Sequence, residues 1–135
     1  MTKETTVQDQ LKKPVDEIVR SIYVLLANSR FTNTLRARPT GHGFIENELR
    51  FELNDNWMCS AVLNRSWILW YFRRPLLGRL GIEPTAILRV FPNANVTNRN
   101  EVTLRISDLA TAYAVLGWLC QNMIPEGAPE MQEPV

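Results

Sequence analysis

The stretch from Trp57 to Pro75, Trp-Met-Cys-Ser-Ala-Val-Leu-Asn-Arg-Ser-Trp-Ile-Leu-Trp-Tyr-Phe-Arg-Arg-Pro, constrains the fold of this chain more than any other. It holds Trp57, Trp67 and Trp70, three of the four tryptophans, in two aromatic and apolar runs separated by the polar pair Asn64-Arg65. That pattern predicts two β-strands meeting at a tight turn. Strands joined so closely must pair antiparallel, because a parallel pair needs a crossover of a dozen residues or more.

The flanking sequence extends this hairpin into a sheet. Ile45, Asn47, Leu49, Phe51 and Leu53 alternate with Glu46, Glu48, Arg50 and Glu52, a half-buried strand ending at the turn Asn54-Asp55-Asn56. Phe31 to Arg38 predicts a weaker strand, followed by a turn cluster from Pro39 to Gly43. Beyond the break at Arg73-Arg74-Pro75, Leu76 to Ile82 suggests a short helical turn. Thr85 to Phe91 and Glu101 to Ile106 then read as two further strands around a polar loop.

A helix is expected at each end of this meander. Val15, Ile18, Val19, Ile22, Leu25 and Leu26 recur at three- and four-residue steps after Pro14, which suits a first helical position. Ser107 offers an N-cap for a second helix running to about Met123. The expected fold is α+β, with an antiparallel meander sheet of five to six strands and the N- and C-terminal helices packed on one face. Residues 1–13 read as a flexible N-terminus, 14–123 as a single domain, and 124–135 as a disordered acidic tail.

Pairing the strands across their turns predicts two unlike faces. A three-residue loop at 54–56 sets Leu53 against Trp57, Phe51 against Cys59 and Leu49 against Ala61. A two-residue turn at 64–65 sets Ala61 against Ile68, Cys59 against Trp70 and Trp57 against Phe72. This places Trp57 in the core. The outer face collects Glu48, Arg50, Glu52, Met58, Ser60, Val62, Trp67, Leu69 and Tyr71, with Ile87, Arg89, Phe91 and Arg105 from the later strands. An apolar and aromatic patch in the middle of a sheet face normally given to water marks a surface that binds something. A slip of one residue in either turn would exchange the faces.

Charge narrows the partner. Residues 20–105 carry all twelve arginines against six carboxylates, whereas the three lysines lie at the N-terminus. Arginine suits bidentate contacts to phosphate or carboxylate and stacking on rings, although compositional preference for arginine would produce the same count. Arginines beside aromatic rings are the recipe for nucleic-acid binding, in which bases stack and guanidiniums hold phosphate. On this reading the chain is a non-enzymatic nucleic-acid-binding domain using Arg50, Trp67, Tyr71, Arg73, Arg74, Arg89, Arg99 and Arg105. An isoelectric point near 7.8 stands against it, as do Glu48 and Glu52 on the same face.

The alternative uses the same residues for protein association, as an adaptor or chaperone-like dimer whose aromatic sheet face binds a polypeptide. Either way a homodimer is expected. No catalytic residue, metal ligand or cofactor is expected. The single histidine, His42, lies between glycines without an evident carboxylate partner, and Cys59 and Cys120 lack metal-ligand spacing. Two cysteines inside apolar patterns suggest free thiols and a cytoplasmic setting, and no apolar run is long enough for a membrane helix.

Overall fold

In a computed structural model the structure describes residues 3–29, 35–42 and 45–123. The elements are β1 (Lys3–Glu4), α1 (Val7–Gln10), α2 (Glu17–Asn28), β2 (Arg36–His42), β3 (Ile45–Leu53), β4 (Asn56–Leu63), β5 (Ile68–Phe72), α3 (Arg74–Leu80), α4 (Pro84–Val90), β6 (Asn95–Val96), β7 (Val102–Ile106) and α5 (Leu109–Asn122). Among the described residues the strands form one sheet in the order β1-β2-β3-β4-β5-β7-β6, with every neighbouring pair antiparallel. Five of these strands are long; β1 and β6 are two-residue caps on the edges. The fold is α+β, as the alternation of the sequence implies.

One face of the sheet carries the core. Phe51, Cys59 and Phe72 form one row across β3, β4 and β5, and Leu49, Ala61 and Trp70 form the next. All six are fully buried. The helix α2 sets Val19, Ile22, Tyr23 and Leu26 against them, and Trp118 of α5 meets Phe72 edge to face with centroids 5.3 Å apart. Helices α2 and α5 thus share one side of the sheet and touch each other.

Two register details differ from expectation, and both have a physical cause. The first turn is two residues, not three. Asn54 and Asp55 have φ of +49° and +67°, the left-handed pair that a tight hairpin with the right twist demands. Leu53 therefore faces Asn56, and a β-bulge between Phe51 and Glu52 absorbs the extra residue, so that Trp57 faces Glu52 while Phe51 still faces Cys59. The bulge moves Trp57 from the expected core to the outer face. Met58, expected to be outside, is only 4% exposed and belongs to the core cluster.

The second turn is longer than Asn64-Arg65, since Leu63 faces Ile68, Ala61 faces Trp70 and Cys59 faces Phe72. That is a slip of two residues. Because side chains alternate with period two, the faces survive it, and Leu63 joins the core.

Three segments depart further. Thr85 to Phe91, read as a strand, is α4, with Pro84 in its first turn and Ile87 buried. A proline at that position leaves no donor unsatisfied and presets φ for a helix. Pro39 to His42, read as a turn, lies inside β2, where Pro39 pairs with Leu49 beyond the reach of β1; a strand edge is where a missing N–H costs least. The expected strand start at Phe31 falls outside the described residues.

The N-terminal stretch, expected to be flexible, is structured from Lys3 onward, with Thr6 capping α1. Gln10 is buried. Its Nε2 donates to the carbonyls of Thr40 (3.1 Å) and Glu48 (3.0 Å), and its Oε1 accepts from the Tyr23 hydroxyl at 2.7 Å. Asp108, not Ser107, caps α5, accepting from the Thr111 N–H at 2.7 Å. The expected acidic tail lies outside the described residues.

Candidate functional site on the outer sheet face

Three rows of side chains tile the face opposite the helices. Arg36, Glu52 and Trp57 form the first. Arg38, Arg50, Ser60, Tyr71 and Thr103 form the second, and Thr40, Glu48, Val62, Leu69 and Arg105 the third. Val62 and Leu69 face each other across β4 and β5, beside Ser60 and Tyr71. Val62, Trp67, Leu69 and Tyr71 are all partly exposed.

Trp57 anchors one end of this surface. The bulge lets its indole Nε1 reach along its own strand, 2.7 Å from Ser60 Oγ and 3.0 Å from the Cys59 carbonyl. The guanidiniums of Arg50 and Arg73 both stack on the ring, each 3.8 Å from its centroid. Arg73 also donates to the Trp57 carbonyl at 2.7 Å. It arrives there because β5 ends at Phe72 and the Arg73 N–H bonds the Met58 carbonyl.

Three arginines on or beside this face, Arg38, Arg50 and Arg73, have carboxylate partners. Arg50 Nε lies 3.3 Å from Glu48 Oε1, with both side chains largely buried. Arg73 Nε lies 3.6 Å from Glu101, and Arg38 forms a two-pronged bond to Glu52 with both distances 2.9 Å. Desolvation pulls the Arg73 guanidinium below its ordinary pKa, reinforced by Arg50 and opposed by Glu101. Burial pushes the Tyr71 hydroxyl up, helped by Glu101 and Glu48. Glu48, expected on a solvated face, is 2% exposed and held against the Arg50 guanidinium.

Of the residues singled out from the sequence, Arg50, Tyr71 and Arg73 come together on this face with Trp57. Trp67 lies in the β4–β5 loop, with the Arg105 guanidinium 4.3 Å from its ring centroid. Arg74 begins α3 and is exposed, and its N–H reaches Glu101 at 3.4 Å. Arg89 sits in the last turn of α4 instead of on the sheet, and Ile87 and Phe91 are buried in the core. Arg99 lies in the turn closed by Thr97 and Glu101. Sequence reasoning missed Trp57; the asparagine-aspartate pair before it, able to adopt positive φ, was the signal that a bulge would follow.

His42 closes β2, and Cys59 is fully buried, its thiol pushed up by desolvation. Among the described residues no three His, Cys, Asp or Glu side chains gather to hold a metal ion, and no helix is long and apolar enough to cross a membrane. Comparison with known protein families, curated proteins and solved structures found no match to this chain.

Proposed function

We propose that this protein is a non-enzymatic binding domain that holds an extended polypeptide on the open face of its sheet. The observation that carries this is the state of the face. Arg38, Arg50 and Arg73 are already paired with Glu52, Glu48 and Glu101, while Val62, Leu69 and Tyr71 keep apolar surface partly exposed across β4 and β5, with Trp67 in the adjoining loop. A nucleic-acid surface needs cations free to replace counterions on phosphate and rings free to stack on bases. Here the Trp57 ring already carries two guanidiniums. A polypeptide needs an apolar centre with a polar rim, which this face provides. From β2 to β7 the face spans about 19 Å, enough for roughly six residues of extended chain.

The test is selection of peptides from a random library on the immobilised full chain, with labelled single- and double-stranded oligonucleotides titrated in parallel. Expected are peptides with apolar or aromatic residues, bound with little change between low and moderate salt and lost in Leu69→Arg. Oligonucleotide binding that falls steeply with salt and weakens in Arg105→Ala would overturn this reading in favour of nucleic acid. Arg105 stacked on Trp67 is the feature that would then carry it.

A further inference from the structure

A guanidinium stacked on an indole occurs twice on or beside the outer face, and the two cases differ in where the N–H groups go. A stacked guanidinium meets the ring with its flat side, so its N–H donors point outward in the plane and still need acceptors. At Trp57 the chain supplies them. Arg50 meets Glu48, and Arg73 meets Glu101 and the Trp57 carbonyl. At Trp67 it does not. The Arg105 guanidinium lies 4.3 Å from the ring centroid, Arg105 is exposed, and among the described residues no carboxylate pairs with it.

Arg105 is thus oriented without being neutralised. The stack restricts a side chain that would otherwise lose its rotamer freedom on binding. A planar fork held in place matches a carboxylate through two parallel hydrogen bonds. The charge of the face points the same way. Its three rows hold four arginines, Arg36, Arg38, Arg50 and Arg105, against two glutamates, Glu48 and Glu52. Arg38 and Arg50 are taken by those glutamates, so the surplus positive charge lies at Arg36 and Arg105, on the outermost long strands β2 and β7.

Position decides which of these cations meets a chain lying on the apolar centre. Leu69 faces Val62 on one side and Arg105 on the other. With strands about 4.8 Å apart, Arg105 stands about 7 Å from the middle of the Val62–Leu69 pair. A chain crossing the strands in extended form turns every second side chain to the sheet, a step of about 7 Å. An apolar side chain seated on Val62 and Leu69 therefore brings the side chain two residues away to Arg105.

We infer that the polypeptide held on this face carries an aspartate or glutamate two residues from an apolar side chain, its carboxylate received by Arg105 stacked on Trp67. The inference rests on the reading of the face as a polypeptide site and adds the chemistry of the ligand. A side chain supplies the carboxylate, not a chain end, because β6 pairs only with Val102 and Thr103 and leaves the sheet margin at Arg105 open for the chain to run on. One ion pair at an exposed margin tunes affinity and shifts little with moderate salt, whereas a nucleic acid engages several cations at once and falls steeply.

The test is selection from one random peptide library on two immobilised proteins, the wild-type full chain and its Arg105→Glu variant. The tightest peptide from the wild type is then titrated beside the same peptide with its acid replaced by the corresponding amide. Wild-type peptides are expected to carry aspartate or glutamate two residues from an aromatic or aliphatic residue. Arg105→Glu is expected to select lysine or arginine at that place. The amide peptide should bind the wild type roughly three- to tenfold more weakly than the acid peptide, and the variant should reverse the order. A circular-dichroism spectrum and urea midpoint matching wild type establish that the variant is folded; Arg105→Gln, expected to lose the acid preference, takes its place otherwise. Peptides without an acid at that place, or the same acid preference in the variant, overturn the inference and leave the polypeptide reading standing. No selected peptide at all, or only peptides that still bind Leu69→Arg, overturns both. Oligonucleotides that bind the wild type with steep salt dependence and are lost in Arg105→Glu give the guanidinium to phosphate and overturn both as well.

Discussion

Trp57 shows how much one residue's placement decides here. In the alternation of its strand it belongs with Cys59 and Ala61 in the core; the bulge carries it across, and with it go two arginines and Ser60. Trp57→Phe keeps a ring for stacking but removes the Nε1–H, stranding Ser60 Oγ in a residue 2% exposed. A loss of about 1 kcal/mol is expected, read as a lower urea midpoint. Trp57→Ala removes the ring as well and is expected to cost about 3 kcal/mol. Glu48→Ala leaves the largely buried Arg50 guanidinium without the Glu48 carboxylate and is expected to cost about 3 kcal/mol, again by urea unfolding. Arg50, Tyr71 and Arg73 were legible as site residues because strand alternation alone puts the first two outward. The pairing of Arg50 with Glu48, two residues away on β3, and of Arg73 with Glu101 was not, since alternation says which face a side chain takes but not the direction it takes over that face.

At the scale of elements, strong periodicity was readable and local chemistry was not. The helices α2 and α5 and the strands β3 and β7 follow directly from apolar spacing. The faces of the β4–β5 hairpin survived a two-residue error in register because that error is a whole pleat. Thr85 to Phe91 misled because Thr, Ile, Val and Phe suit strands, whereas Pro84 fixes the first turn of a helix. The Asn54-Asp55 turn holds both residues at positive φ, where glycine is at ease and a β-branched residue is strained by about 1–2 kcal/mol. Asp55→Gly is therefore expected to raise the unfolding midpoint slightly, and Asp55→Val to lower stability by at least about 1 kcal/mol. At the start of α5, hydrogen bonds from Thr111 hold the Asp108 carboxyl below its ordinary pKa. A depressed folded-state pKa contributes stability that is present above the unfolded value and lost as pH falls through the folded one. Asp108→Ala should accordingly melt below wild type at neutral pH, with the two curves converging in acid below the usual carboxylate range.

Across the whole molecule, the two sides of one sheet have been given different work by the same alternation. The inner rows bury aromatic and aliphatic side chains under α2 and α5. The outer rows balance arginine with glutamate around an apolar centre, and the sheet edges are blunted by two-residue strands and, at β2, by Pro39, Arg36 and Arg38. Such edges discourage strand addition, which fits the proposal that a partner uses the open face and not an edge. The most direct measurement is amide chemical-shift mapping of a selected peptide on the isotopically labelled full chain. Perturbations are expected across Ser60–Val62, Leu69–Tyr71 and Thr103–Arg105, the outer rows of β4, β5 and β7. Perturbations confined to the helices, or to the arginines at 74, 89 and 99, would contradict the assignment of this face as the binding site.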